Sequence, residues 1–284
     1  MNISRRSFLA GSGGGVLAMS QARRGLARGH GLKLGVTDWN LHLTGKVEAV
    51  ETAAQLGFDG VQVSLGRQPV GGKLPLDDAV IQQQYLTAAK MHKIPLDGTC
   101  LDILHVNYLK NDKLGQKWVA DSIPITKKLN ARVILLPFFG KGALTTTEEM
   151  DYVGDALREI APEAEKAGVI LGLEDTISAE NNVRIMERSK SPAVLTYYDV
   201  GNSTQGGFDV VKEIHWLGKD RICQFHLKDN PHYLGEGTID FPSVLKTIED
   251  IGFRGFANLE TDCPSKSVEQ DMTRNLHFLR RLMA

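Results

Sequence analysis

Residues 133–139 read VILLPFF and residues 169–173 read VILGL, two continuous apolar runs bounded by polar residues. A strand of an antiparallel sheet commonly buries one face, whereas a continuously apolar strand must be covered on both faces. A parallel sheet meets that requirement because its crossover connections pack helices against it. The two runs therefore predict a parallel α/β architecture.

The same pattern continues in both directions, and short β-rich runs alternate with longer amphipathic segments eight times. The predicted strands are residues 32–38, 60–65, 94–100, 132–138, 169–174, 194–200, 222–227 and 256–260. The predicted helices are residues 47–56, 75–92, 114–129, 147–167, 179–189, 208–217, 242–251 and 266–282. Eight such units predict one (β/α)8 TIM barrel over residues 31–284. A doubly wound α/β domain is the alternative, but no Gly-x-Gly-x-x-Gly follows the first strand.

The first 28 residues, MNISRRSFLAGSGGGVLAMSQARRGLAR, have a different character. Their apolar stretch at residues 8–19 is shorter than the roughly 20 residues that span a bilayer, so we expect no stable membrane insertion. SRRSFL at residues 4–9 resembles the twin-arginine (Tat) export motif, which is read as an address rather than an anchor. Residues 1–28 are thus predicted to be a signal peptide that engages the Tat export machinery and directs the protein to the periplasm.

Removal of the signal changes the charge of the chain. The 284 residues carry 33 Lys and Arg against 34 Asp and Glu, a formal net charge of −1. Cleavage after Ala27 would leave 29 basic residues against 34 acidic ones, a net charge of −5. The residues lost in that count are Arg5, Arg6, Arg23 and Arg24. A negative chain disfavours binding to the nucleic-acid backbone, so no nucleic-acid partner is expected.

Four polar residues end the last four predicted strands. They are Glu174, Asp199, His226 and Glu260. The carboxyl ends of barrel strands meet at the active-site face, and a charge that ends an apolar strand is costly unless it is paired. Three carboxylates and one imidazole form a hard ligand set. This set favours one divalent metal ion, Mn²⁺, Mg²⁺ or Co²⁺, with Zn²⁺ as an alternative.

Longer motifs surround these four residues. They are GLEDTISAEN at 172–181, YYDVGNS at 197–203, QFHLKDN at 224–230, LGEGTIDF at 234–241 and NLETD at 258–262. In these motifs the chain resembles the xylose isomerase-like TIM barrels, often labelled sugar phosphate isomerase/epimerase, which include ketose 3-epimerases. The resemblance implies that Glu174, Asp199, His226 and Glu260 bind the metal. It also implies that Glu174 and Glu260 are the catalytic acid and base.

The resemblance extends less well to the residues that would bind substrate. The ketose 3-epimerases hold substrate oxygens with a Glu six residues after the first ligand, a His three residues after the Asp and an Arg six residues after the His. This chain has Glu180, Asn202 and His232 at those places, so only the Glu is retained. His232 lacks the permanent charge and planar fork of Arg. The reaction class is therefore better supported than the substrate.

Three further residues are candidates for the substrate pocket. Lys228 follows the ligand His226 by two positions and is expected to pair with the ligands and orient them. Trp39 follows the first predicted strand and His105 the third, so both could line a sugar pocket with aromatic surface.

These features predict an isomerase or epimerase that acts on a free sugar or keto sugar through an enediolate. A lyase or dehydratase of oxidised sugars, glycosides or inositols would share the first proton abstraction. A non-catalytic sugar-binding barrel is a remoter alternative, because a pure binder has no need for the four-ligand set. An apurinic-site endonuclease is disfavoured by the negative charge and by the lack of additional strand-end histidines. The expected partner is a small sugar, and the sequence leaves a homo-oligomer open.

Overall fold

Residues 31–284 are described by a computed structural model, in which eight parallel strands close into a barrel in the order β1 to β8. The closure is made where β1 pairs with β8, from Leu32 beside Gly255 to Val36 beside Leu259. This topology confirms the predicted (β/α)8 TIM barrel and excludes the doubly wound alternative, which has open sheet edges. The predicted signal peptide at residues 1–28 lies outside the described residues, so export remains a prediction.

The elements follow one another as the sequence pattern predicts. The strands are β1 (Leu32–Thr37), β2 (Gly60–Ser64), β3 (Leu96–Cys100), β4 (Val133–Pro137), β5 (Ile170–Glu174), β6 (Val194–Asp199), β7 (Ile222–Leu227) and β8 (Gly255–Leu259). The α-helices are α1 (Glu48–Leu56), α2 (Ala79–His92), α3 (Lys113–Lys128), α4 (Thr147–Ala167), α5 (Ala179–Ser189), α6 (Val200–Gln205), α7 (Val210–Leu217), α8 (Phe241–Asp250) and α9 (Val268–Leu282). Short 3-10 helices lie at Pro75–Asp77, Asp102–His105 and Gly140–Gly142.

Two boundaries differ from the prediction for local physical reasons. The segment predicted as one helix from residue 75 is split, because Asp78 has extended backbone and its carboxylate accepts hydrogen bonds from the N–H groups of Val80 and Ile81 at the start of α2. The six-residue helix α6 was not predicted. It begins directly after β6, where the Asp199 carboxylate accepts a hydrogen bond from the Asn202 N–H. A strand-end residue of the predicted metal site therefore also caps a helix.

The apolar core lies mainly between the barrel and the surrounding helices, and a smaller cluster of Cys100, Val133, Leu135 and Tyr197 lies inside the barrel. The rest of the interior includes buried polar side chains. Small residues make room for them: a Cβ atom on Gly35 would lie 1.9 Å from Oδ1 of Asn258. In the described part of the chain, no helix is long and apolar enough to cross a membrane.

Candidate active site

The four predicted ligand residues meet at the carboxyl end of the barrel. Glu174 and Asp199 end β5 and β6, His226 is the penultimate residue of β7, and Glu260 directly follows β8. One ligand atom of each lies within 4.8 Å of the others. Glu174, Asp199 and His226 are buried and Glu260 is half-buried. The structure thus gathers, from four neighbouring strands, a cluster that could hold a metal ion.

One ring nitrogen of His226, Nδ1, lies at the centre of this cluster. It is 2.6 Å from Oε1 of Glu174, 3.5 Å from Oε2 of Glu260 and 3.7 Å from Oδ2 of Asp199. An unprotonated imidazole nitrogen and a carboxylate oxygen are both acceptors, so a proton or a cation must lie between them at such distances. One nitrogen and three carboxylate oxygens suit a hard divalent ion.

Lys228 places a positive charge beside two of the carboxylates. Its Nζ is 2.7 Å from Oδ2 of Asp199 and 2.6 Å from Oε2 of Glu260. The lysine side chain reaches them by passing over Gly201, where a Cβ atom would lie 2.4 Å from its Cγ. When all three acids are ionised and the imidazole is neutral, the three acids and Lys228 together carry a charge of −2. A divalent cation would neutralise that charge, which a second lysine or a monovalent ion would not.

The pKa shifts of the two candidate catalytic glutamates have opposite directions. Burial, reinforced by the nearby charge of Glu260, raises the pKa of Glu174 well above its usual range. Burial also acts to raise the pKa of Glu260, but the adjacent His226 and Lys228 outweigh it and lower that pKa to about 2. Burial raises the pKa of Asp199 to about 7. The two glutamates therefore differ in how readily they hold a proton, as an acid and a base must.

A cavity of about 720 Å³ opens above the cluster. Four of the predicted substrate-binding residues line it, namely Trp39, His105, Asn202 and Lys228. The Trp39 indole N–H donates a 3.0 Å hydrogen bond to Oε1 of Glu260. His105 stacks on Phe139 with 6.3 Å between ring centroids. The buried Nδ2 of Asn202 has no hydrogen-bond partner among residues 31–284.

The other two predicted substrate-binding residues lie elsewhere in the described chain. Glu180 is exposed in the first turn of α5, and His232 is exposed in the loop between β7 and α8. The N–H of His232 donates a hydrogen bond to the carbonyl of Asp229, and neither Glu180 nor His232 lines the cavity. The structure does not bring them to the cluster, and a role for them in substrate binding stays a prediction.

Several polar residues of the N-terminal half also reach the cavity but were not singled out from the sequence. Ser64, Arg67 and Asp102 line it, and the Ser64 hydroxyl donates a hydrogen bond to the Asp102 carboxylate. Burial raises the pKa of Asp102. A signal was available in the sequence, because Asp102 follows the third strand as Glu260 follows the eighth.

Gln62 is a further residue that sequence reasoning missed. It lies in β2 within the run GVQVS, and it is buried inside the barrel. Its Oε1 is 2.9 Å from Nε2 of His226, on the side of the ring away from the carboxylates. A polar residue between two valines of a buried strand is the available signal for it.

A second cavity, of about 680 Å³, lies at the amino end of the strands. Arg132, Lys219 and Arg254 line it, together with buried Asp97 and Gln224. None of the predicted site residues lies there, which agrees with the rule that barrel active sites occupy the carboxyl end of the strands.

A closed (β/α)8 barrel with a polar cluster at its carboxyl end defines the class of protein. The family described as "xylose isomerase-like TIM barrel" matches residues 50–282. The chain therefore belongs to the xylose isomerase-like TIM barrel family, as its motifs indicated.

Individual relatives agree with this assignment. The chain is 26% identical over 207 residues to 2-epi-5-epi-valiolone 7-phosphate 2-epimerase of Actinoplanes sp. The alignment covers 70% of this chain and 73% of the relative. Among solved structures, D-psicose 3-epimerase crystallised in the presence of D-fructose superposes with a TM-score of 0.75 at 14% identity, covering 88% of this chain and 99% of the other. The 3-keto-D-glucoside 4-epimerase of E. coli superposes with a TM-score of 0.68 at 17% identity. This superposition covers 88% of this chain and 99% of the other. At these identities the two structures show the shared fold.

Proposed function

We propose that the protein is a divalent-metal-dependent epimerase or isomerase of a free sugar or keto sugar. The observation that carries the proposal is the convergence of Glu174, Asp199, His226 and Glu260 within 4.8 Å beneath a cavity of about 720 Å³. The relatives support the epimerase class, because a 2-epimerase, a 3-epimerase and a 4-epimerase share the family or the fold. All three names describe inversion at a sugar or cyclitol carbon.

The chemistry follows from the arrangement of the acids. A divalent ion, when bound, would polarise a carbonyl and a neighbouring hydroxyl of the substrate. Glu260, which accepts hydrogen bonds from Lys228 and Trp39, would take the proton from the hydroxyl-bearing carbon next to the carbonyl, leaving an enediolate. Glu174 would return a proton to the other face of that carbon, and proton exchange with solvent would restore both glutamates to their starting states. Inversion needs an acid/base group on each face, whereas aldose–ketose isomerisation needs one.

The cavity walls would orient the sugar during this exchange. The unpartnered amide nitrogen of Asn202 can donate to a substrate oxygen, and the indole of Trp39 can cover an apolar sugar face. The half-buried position of Trp39 also shields Glu260 from water on one side. Exclusion of water strengthens the interactions that hold an enediolate.

Proton exchange with solvent tests the proposal directly. The protein, supplied with Mn²⁺, Mg²⁺ or Co²⁺ in D₂O, is incubated with free ketoses, inositols and 3-keto glycosides, and products are followed by NMR and mass spectrometry. We expect deuterium at one carbon of one substrate class, with inversion or isomerisation and no loss of water or aglycone. Elimination of either would indicate a lyase instead.

Substitution of Glu260, the proposed base, can be compared with the same substitution at an exposed glutamate. Glu260→Gln keeps the side-chain volume but removes the acceptor, so turnover should fall by about 10²- to 10⁴-fold. Glu187→Gln makes the same chemical change at an exposed position of α5 and should leave turnover unchanged. Turnover of Glu260→Gln close to that of the unmodified protein would contradict the assignment of Glu260 as base.

A further inference from the structure

Gln62 sits at the junction between the carboxylate cluster and a chain of polar side chains deeper in the barrel. It is fully buried, and its Oε1 lies 2.9 Å from Nε2 of His226 and 3.2 Å from the hydroxyl of Tyr197. Tyr197 also packs its ring against His226, with 4.5 Å between centroids. The imidazole is therefore held from the side opposite to its candidate metal-binding nitrogen.

The directions of these hydrogen bonds follow from Oδ1 of Asp97, which accepts from two amide nitrogens, those of Asn258 and Gln224, so that a proton on Asp97 belongs on Oδ2. Its Oδ1 accepts a 3.0 Å hydrogen bond from Nδ2 of Asn258, and the same amino group donates at 3.1 Å to the hydroxyl oxygen of Tyr197. The hydroxyl proton of Tyr197 then goes to Oε1 of Gln62. Reversal of the Gln62 amide would take the acceptor away from that buried hydroxyl, whereas the present orientation leaves only the amide nitrogen of Gln62 without a partner in the described chain.

The tautomer of His226 is the consequence. The amide oxygen of Gln62 carries no proton, so its contact with Nε2 of His226 requires that Nε2 carry one. The neutral imidazole then presents its lone pair at Nδ1, the atom that lies 2.6 Å from Oε1 of Glu174. The other tautomer would direct a hydrogen at Nδ1 into the space among the carboxylates and block ligation there.

We propose that Gln62 is a positioning residue that keeps the His226 proton on Nε2, so that Nδ1 is free to bind the metal ion of the proposed function. A hydrogen bond on the outer nitrogen of a ligating histidine raises its basicity and fixes its ring, and loss of such a partner lowers metal affinity about 10- to 100-fold. Gln62 acts through His226 and need not touch the substrate.

Three variants separate this role from simple packing. Gln62→Met keeps a long side chain but removes the acceptor, and Mn²⁺ affinity measured by calorimetry should fall about 10- to 100-fold. Gln62→Glu keeps an acceptor oxygen at this position, so its Mn²⁺ affinity should exceed that of Gln62→Met. Gln224→Met removes a second buried glutamine, which bonds to Asp97 rather than to His226, and should leave affinity unchanged.

NMR of ¹⁵N-histidine-labelled, metal-free protein shows directly which ring nitrogen of His226 carries the proton. This measurement does not depend on catalysis. The His226 signals are identified by their absence from His226→Ala. We expect a protonated Nε2 in the unmodified protein and in Gln224→Met, and a changed Nε2 environment in Gln62→Met.

The two readouts can overturn the inference separately from the proposed function. An unprotonated Nε2 in the unmodified protein, or Mn²⁺ affinity of Gln62→Met equal to that of the unmodified protein, would contradict it. If the unmodified protein bound no divalent ion, the proposed function would fail, and the NMR result alone would still decide whether Gln62 sets the tautomer.

Discussion

Burial raises the pKa of a carboxyl group, and the carboxyl groups of this barrel differ in how far their neighbours lower it again. Glu260 has a lysine and an indole N–H as partners, and its pKa is low. Asp97 has only amides: Nδ2 of Asn258 at 3.0 Å and Nε2 of Gln224 at 3.2 Å. The effect of burial therefore dominates at Asp97 and raises its pKa to about 7. Oδ2 of Asp97 has no hydrogen-bond partner in the described chain. The protonated form of Asp97 is therefore the one that suits the folded interior.

This pKa makes stability depend on pH. The folded-state pKa of about 7 lies above the ordinary value of 3.8, so the stabilisation from protonated Asp97 is complete below pH 3.8 and is lost as pH rises to 7. Each pKa unit is worth about 1.4 kcal/mol, so the loss amounts to at most about 4 kcal/mol. Asp97→Asn cannot ionise, and its unfolding free energy should fall less than that of the unmodified protein between pH 4 and 7.

Urea unfolding at a series of pH values measures the difference. Asp250→Asn, which alters an exposed carboxylate of α8, should keep the pH dependence of the unmodified protein. The same pH slope for Asp97→Asn and Asp250→Asn would show that Asp97 does not carry the effect.

The four clustered residues were predictable one by one, whereas the residues that contact them from deeper in the barrel were not. A carboxylate at the end of an apolar strand stands out in a sequence because it breaks the pattern. Gln62 and Tyr197 sit inside strands, and their partners are 164 and 135 positions away along the chain. Contacts of that kind exist only after the barrel closes, and no local pattern specifies them.

At the scale of elements, most boundaries follow from capping chemistry that the sequence displays. Helix α4 begins with a capping box, in which the Thr146 hydroxyl accepts a hydrogen bond from the Glu149 N–H and the Glu149 carboxylate accepts one from the Thr146 N–H. It ends at Gly168, whose φ of 71° is left-handed. Helix α6 was missed because six residues with two glycines directly after it give no apolar period.

The capping box gives a prediction at this scale. Thr146→Ala removes the acceptor for the Glu149 N–H, and the unfolding free energy should decrease by about 1 kcal/mol. Thr147→Ala lies one position later, is equally exposed and caps nothing, so it should change the unfolding free energy by less than half of that. Chemical denaturation measures both variants. Equal losses in the two variants would show that the capping box is not the source of the loss.

At the scale of the whole molecule, the repeat of eight strand–helix units predicted the closed barrel. Closure of the barrel explains why residues from distant parts of the chain meet at one end of it. Strands β5 to β8 supply the four clustered residues, and the segments after β2 and β3 supply the facing wall with Arg67, Asp102 and His105. The recognisable motifs lie in the C-terminal half, so the sequence predicted the four clustered residues and, in this wall, only His105.

The central claim is that the cluster holds one divalent ion, and metal content tests it most directly. The protein and two variants are incubated with Mn²⁺, Mg²⁺, Co²⁺ or Zn²⁺, freed of excess ion and analysed for metal per chain, with circular dichroism to verify folding. His226→Ala removes the central ligand, and His215→Ala alters an exposed histidine of α7 as its control. The account predicts about one ion per chain in the unmodified protein and in His215→Ala, and almost none in folded His226→Ala. Equal metal content in His226→Ala and the unmodified protein, or no bound ion in either, would contradict it.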